Sequence, residues 1–576
     1  MAAVEQKKQY AVVKDFKGVN TKNSRTVIEN GEFAWLENAQ PIGFGNLKIV
    51  EGNQLVNSTA WTANVTYMSS VNIQNNEYIL GFQDDGSAQY VNITTGTTGN
   101  IAAANTFSNT GVAITQWKNE RALIIDPDRG YKTWDGVNLL DIGSVVTVTI
   151  NNPGTGYNAA NTTVSFGAPN QANGVQATGE VVIVANAVSE IIVTEAGTGY
   201  TSPPTVTITG GGSNANVTCS ILDQNGTDVA TFSGRAWIAS DRTTFYTAAD
   251  TYNDFTNISA GFLTISDSTL RTNITRILSA NNFLYVFGED SINVFSDVRI
   301  DSITGVTLFT NTNVSASIGS NLRNTIFPYF RSVLFMNEYG VYALVGATTT
   351  KISDPLDGVF PLINFDEPVS GGQCLINNIL CAVYNFNYND NGTMRWIQAA
   401  FFERKWFFTN QLTDAYFVVP AVKDGFLNLY GTTGNNLYQF YEDAANPVEV
   451  EVETALLPMG DPIRDKQALK IGIEATLGNV PILLTAFVDS ESQQSPAINF
   501  ANTIFWINNS LQTIDWTNNL SQVVGWITGT SAGAGYYLYK SDAKMFGKYL
   551  GMTITTNATP FTINGFQFEH ELRARF

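Results

Sequence analysis

Short apolar runs rich in Val, Ile, Thr, Tyr and Phe follow one another along the whole chain, separated by Asn, Asp and Gly. Residues of the first kind suit strands and those of the second suit tight turns, so the pattern predicts β-structure throughout. Apolar positions do not sustain the 3.6-residue spacing of an amphipathic helix. The most helix-like stretch is short, Asn30-Gly31-Glu32-Phe33-Ala34-Trp35-Leu36-Glu37-Asn38. A looser rhythm lies over the strands. EYILGFQDDGSAQYV, RALIIDPDRGYKTWDG, RAWIASDRTTFYTAAD, NFLYVFGEDSINVF, SVLFMNEYGVYALV and GFLNLYGTTGNNLYQF each hold a strand, a turn and an aromatic-rich strand. With the block from Ile376 to Phe408 they make about seven units at a period near forty, which predicts a β-propeller with four short strands per blade. A series of unrelated hairpins in stacked sandwiches is the alternative.

One repeat stands apart. Thr149-Ile150-Asn151-Asn152-Pro153-Gly154-Thr155-Gly156-Tyr157 is echoed by Val193-Thr194-Glu195-Ala196-Gly197-Thr198-Gly199-Tyr200, and each copy runs into an alternating strand. The two copies define an inserted β-module over 144–226. Tyr157 and Tyr200 are its candidate interaction residues, either exposed as contacts or folded over their own glycine turns. From about residue 447 the strands become longer and alternate, as in EVEVETALL and GMTITTNATPFTINGFQFEHEL, which predicts a separate C-terminal β-sandwich platform. The expected division is an N-terminal arm with platform strands (1–60), first blades (61–143), the inserted module (144–226), remaining blades (227–446) and the platform (447–576).

Composition sharpens this picture. Hydrophobic residues make up 44% and aromatics 12%, enough apolar surface for packed cores and too much for a disordered chain. Net charge is −19, which argues against gripping nucleic acid, since phosphate binding needs clustered Lys and Arg. The first fifty residues reverse the sign, at about +2. They read as a solvated arm or as a contact with an acidic neighbouring subunit. Cys219, Cys374 and Cys381 do not make a disulfide framework. A turn at Asn377-Asn378 would set Cys374 opposite Cys381, as buried free thiols. MAAVEQKKQYAVVKDF lacks the apolar core of a signal peptide and no apolar run reaches twenty residues, so a soluble chain is expected.

Candidate chemistry is sparse. His570 is the single histidine, which rules out ordinary Ser-His-Asp and multi-histidine metal sites and leaves a surface or interface residue. Asp128-Arg129-Gly130-Tyr131-Lys132-Thr133-Trp134 approaches the Asp-box of sialidase propellers but has one residue too many before Thr-Trp. It reads as a structural hairpin. Asn387-Tyr388-Asn389-Asp390-Asn391-Gly392 imitates the start of a calcium loop, yet Gln398 stands where a bidentate glutamate is needed, so it too reads as a turn. Gly43-Phe44-Gly45 and Gly210-Gly211-Gly212 lack the context of phosphate loops, and Asp84-Asp85 sits in a turn beside Gly86. No catalytic residue, cofactor or metal is expected.

The opening of the chain carries a resemblance. Asp15-Phe16-Lys17-Gly18-Val19-Asn20-Thr21-Lys22, then Asn30-Gly31-Glu32-Phe33, Leu36-Glu37-Asn38-Ala39, Gly45-Asn46-Leu47-Lys48 and Gly52 resemble the start of tail nozzle and packaged-DNA stabilisation proteins of short-tailed phages. The resemblance implies a β-propeller with platform domains and a structural, non-enzymatic role in the virion tail, assembled in the host cytoplasm. It further implies a homohexameric ring enclosing the DNA-ejection channel, adaptor or portal-proximal proteins and tail fibres as partners, and DNA that passes without specific binding. A receptor- or glycan-binding tail propeller is the second reading, and a glycan-degrading tail enzyme the third.

Overall fold

The computed structural model describes residues 8–573 except 110, 267, 413, 477–481, 490, 495–502, 505, 508–512, 515, 518, 520–522, 525, 528–535 and 559–560. Among these residues the chain is all β apart from three short 3-10 turns, Arg323–Thr325, Asp354–Leu356 and Phe360–Leu362. Two-residue hairpin turns account for several of the asparagines. Gln74-Asn75, Asn281-Asn282 and Asn377-Asn378 all have both residues at positive φ, which Asn tolerates better than most side chains.

Seven blades of four antiparallel strands form a closed propeller. Their innermost strands are, in order, Val65–Ile73, Ala113–Trp117, Asp228–Phe232, Ile274–Ala280, Phe327–Tyr329, Ser370–Ile376 and Phe417–Lys423. Hydrogen bonds link each blade to the next around the whole ring. In order they join Asn72 N to Gln116 Oε1 (2.9 Å), the Thr115 and Thr231 hydroxyls (3.5 Å), and Ile277 N to Asp228 Oδ2 (2.6 Å). Thr275 Oγ1 then donates to Ser320 O (2.6 Å), Tyr329 Oη to Leu380 O (2.9 Å), Val418 N to Ser370 Oγ (3.0 Å) and Ser70 Oγ to Pro420 O (2.7 Å).

Aromatic wedges fill the spaces between blades. Trp134 of the second blade packs against Tyr78 and Tyr90 of the first, and Trp237 of the third against Phe295 and Phe309 of the fourth. Both indoles are fully buried. The strand–turn–strand units of the sequence are the second and third strands of the blades, whose faces are covered on both sides. The seventh blade is completed by Gly52–Asn57, which pairs with Asn436–Asp443 from nearly 400 residues away.

The sixth blade does not end at its fourth strand. Lys405–Thr409 runs parallel to Glu32–Glu37, which pairs with Val448–Thr454, and the sheet continues through Leu550–Ala558 to Ile482–Val488 and Glu491–Gln494. The platform is therefore not a separate C-terminal domain, because propeller and platform share hydrogen-bonded backbone. A second, six-stranded sheet holds Gln9–Val13, Ala39–Gly43, Asn46–Ile49, Lys466–Thr476, Tyr536–Gly547 and Thr562–Leu572. The two sheets share one apolar core that includes Val450, Val452, Ile471, Ile473, Ile554, Phe566 and Phe568. The helix-like stretch at 30–38 is a strand. Its pairing on both sides buries Phe33 and Leu36, and tertiary contact outweighs the helix preference of Glu, Ala and Leu.

The inserted module leaves after the second blade and returns before the third. Its long strands Val145–Thr155 and Ser213–Ile221 pair, and Leu222 N donates to Ser144 O (2.7 Å) at the base. A third repeat, absent from the expectations above, lies at 503–527, where Trp506, Trp516 and Trp526 recur every ten residues. Thr503–Ile504 pairs with Trp526–Ile527, Trp506–Ile507 with Thr513–Ile514, and Trp516–Thr517 with Val523–Val524. Each copy pairs with both others, in a cycle.

Two outcomes follow from this architecture. Trp237→Ala should lower the free energy of unfolding by about 3–5 kcal/mol, measured by denaturant titration, since it empties the wedge between two blades. Excising 145–221 and joining Ser144 to Leu222 should leave the strand circular dichroism of the propeller intact. Loss of cooperative unfolding in that variant would show that the module is a scaffold element.

Candidate functional site

The residues that carry the N-terminal resemblance form the seam between propeller and platform. Phe16, fully buried between the first two strands, meets Phe33 (5.9 Å between centroids) and Phe566 (5.6 Å), bridging Glu32–Glu37 and Thr562–Leu572. Thr21 N donates to Pro355 O (2.7 Å) beyond the fifth blade. Asn38 sits at φ +57° and ties both bodies. Its Nδ2 donates to Glu449 O (2.6 Å) in the platform, and its Oδ1 accepts from Asn410 N (2.9 Å) after the sixth blade. Gly31 has φ +90°, and a Cβ there would lie 2.0 Å from Asp15 O; at Gly52 it would lie 1.8 Å from Asn446 O. Only glycine fits where one backbone passes so close to another.

The basic side chains of this segment lie along acids of the same chain rather than on a free arm. Lys8 pairs with Glu569 (3.1 Å), Lys14 with Glu474 (2.9 Å), Lys22 with Asp357 (2.9 Å) and Arg25 with Glu453 (3.7 Å). Three of these acids belong to the C-terminal platform. Arg25 also donates to Thr454 O (2.7 Å) and Met552 O (3.0 Å) and lies over Phe487 (4.4 Å). The same seam holds a crowded carboxylate row. Glu37, buried, receives a bidentate Arg395 (3.0 and 3.1 Å) and the Trp35 indole N–H (2.8 Å). Glu451 stands directly opposite Glu37 on the adjacent strand, flanked by Glu449 and Glu453. Burial, then Glu453 and Glu37, push its carboxyl up to about 7.

The propeller axis is the other convergence of charged side chains. Arg323 donates to Thr227 O (3.0 Å) and to Val112 O, and its guanidinium lies over Tyr67 (5.4 Å). It thus joins the first three blades. Asp228 is buried and accepts from Ile277 N, with Arg276 Nε 3.7 Å away. Burial pushes the Asp228 carboxyl up while the two arginines oppose the shift. A cleft of about 170 Å³ remains beside Arg276, between the inner strands. Its lining is the packing surface of the ring, with Met68, Phe327, Phe417 and Val419 around two serines.

The sequence candidates land elsewhere. Tyr157 and Tyr200 are 4% and 1% exposed, so neither is a contact residue. Each folds over its own turn. A Cβ on Gly154 would meet the Tyr157 ring at 2.7 Å, and one on Gly197 would meet the Tyr200 ring at 2.9 Å. Tyr200 Oη donates to Gly167 O (2.8 Å) and accepts from Ala177 N (3.0 Å). Asp128-Arg129-Gly130 is a hairpin turn capped by Asp126, whose Oδ1 accepts from the backbone N–H of Asp128 and of Arg129. Asn391-Gly392 turns between Ile379–Asp390 and Thr393–Phe402. Cys374 lies opposite Cys381, both buried free thiols. His570 is not at the surface. It is buried in the six-stranded sheet with Nε2 3.2 Å from Gln9 Oε1, because the N-terminal strand Gln9–Val13 covers it. Burial and Lys466 hold its pKa below the usual 6.5.

Neither a protein-family model nor a curated protein matches the chain. Among solved structures it is similar to U3-55K (TM-score 0.31, 8% identity, 68% of this chain and 98% of that one). It is similar also to the N-terminal domain of Nup159 (0.31, 8%, 69% and 95%) and to an ancestral GH74 enzyme (0.26, 10%, 72% and 66%). At such scores these likenesses carry no argument, and the propeller is assigned from the sheet topology of the chain itself.

The seam makes stability depend on pH. The folded carboxyl of Glu451, at about 7, lies above its ordinary 4.5, so its stabilising contribution is full below pH 4.5 and is lost as pH rises through 7. Glu451→Gln should raise the melting temperature at pH 8 by about 2–4 °C and leave it nearly unchanged at pH 4.5, measured by differential scanning calorimetry.

Proposed function

We propose that this chain is a structural subunit of a short-tailed phage tail, forming part of the nozzle ring around the DNA-exit channel. The observation that supports it is the seam. Phe16, Gly18, Gly31, Leu36, Asn38 and Gly52, the residues of the N-terminal resemblance, are placed where propeller and platform are locked together. The motif therefore serves the construction of a propeller rigidly joined to a platform, which suits a part that bears load in an assembly.

Arg323 ties the first three blades together, and the cleft of about 170 Å³ between the inner strands is too small to admit duplex DNA. On this reading any channel lies between subunits. Six copies would bring about −110 charges, and a lumen lined by part of that charge would repel a duplex carrying one charge per ~1.7 Å of axis. Acidic walls would keep DNA from sticking as it leaves.

Negative-stain imaging of the purified chain, with immunogold labelling of the particle, tests the proposal. The expected result is a six-fold ring and label on the tail. A chain that stays single and labels no tail overturns the assignment. A ring whose lumen is lined by Lys and Arg overturns the electrostatic part alone.

A further inference from the structure

A polar cleft of about 370 Å³ opens where the sixth and seventh blades meet the platform strand Asn46–Ile49, and it falls within the usual size range of small-ligand pockets. Its floor is Gln439, 1% exposed. Gln439 Oε1 accepts from Tyr430 Oη (3.3 Å) and Lys423 Nζ (3.4 Å), while its Nε2 donates to no group among the described residues. That donor is not sealed off from solvent, so it is open to an acceptor on whatever fills the cleft.

The walls are unusual in charge. Lys48 and Lys423 face Glu51, Asp424 and Glu442 around the opening, yet none of the five closes an ion pair among the described residues. Burial pushes the Glu51 carboxyl up, with Lys48 opposing the shift. Asn428 adds an amide on one wall, and Phe426 stands at the mouth, 58% exposed. The backbone is bent to make this shape. Tyr441 sits at φ +61° where the pairing of Asn436–Asp443 with Gly52–Asn57 slips register, which turns the phenol inward onto Thr409 (2.8 Å).

We propose that this cleft is a binding site for a neutral saccharide. A sugar hydroxyl both donates and accepts, so a set of carboxylate acceptors interleaved with ammonium and amide donors can be satisfied by neighbouring hydroxyls of one ring. Phe426 offers a flat apolar surface for the C–H face of a pyranose. Phosphate and other anions fit poorly, since three carboxylates outnumber two lysines. The inference does not rest on the nozzle reading, because a ring subunit can lack the site and a monomer can possess it.

Saturation-transfer difference NMR on the intact chain tests it, with glucose, galactose, N-acetylglucosamine, maltose and inorganic phosphate as probes. At least one sugar should show transfer, weakened tenfold or more in Phe426→Ala and in Asn428→Ala. Phe426→Ala should melt within a degree or two of wild type, because Phe426 lies outside the core, and Asn428→Ala, which also removes a contact to the Tyr430 phenol, is read against its own melting temperature. Absence of transfer to every sugar overturns the proposal, as does equal transfer in both variants. Phosphate binding in preference to sugar overturns it too. None of these results bears on ring formation, which is read separately by imaging.

Discussion

The structure depends on residues 9–57 pairing with strands made hundreds of residues later. Gln9–Val13 lies on Thr562–Leu572, Glu32–Glu37 bridges the sixth blade and Val448–Thr454, and Gly52–Asn57 completes the seventh blade. Remove these strands and the seventh blade keeps an open edge, the platform loses its link to the propeller, and His570 is uncovered. Exposed sheet edges invite pairing with other chains, so the same strands that hold the fold also protect it.

Charge follows the same seam. An acidic chain would be expected to repel itself, yet its basic segment is laid along its acidic platform, so that Lys8, Lys14 and Arg25 meet Glu569, Glu474 and Glu453. Exposed pairs of this kind contribute little individually. Arg25 and Arg395 differ, because each also satisfies backbone carbonyls or a buried carboxylate that would otherwise be left unpaired. Glu451 is the residue the arrangement leaves uncompensated.

Much of the propeller was legible because the second and third strands of each blade are covered on both faces and read as apolar runs around a turn. The outer strands were not, since Gly261–Thr264 and Thr348–Lys351 are short and partly exposed, with little pattern to detect. The strand at Glu32–Glu37 was hidden by residues that favour helix locally and obey partners found only in three dimensions. The tyrosines of the inserted module read as possible contacts because an aromatic after Gly-Thr-Gly looks the same whether it points out or folds back. The ten-residue repeat at 503–527 was present in the sequence but shorter than the twenty- to fifty-residue periods that mark repeat architectures. The cleft floored by Gln439 had no linear signal at all. Its walls come from residues near 48, 378, 424 and 440, joined only when the ring closes.

Closure by Gly52–Asn57 also sets a schedule for synthesis. The closing strand leaves the ribosome early, and its partner Asn436–Asp443 follows nearly 400 residues later. At about 5–20 residues per second, that interval is roughly 20–80 s. Throughout it Gly52–Asn57 has no blade to close, while six blades form behind it from local hairpins. The closing strand therefore exists long before the strand it pairs with.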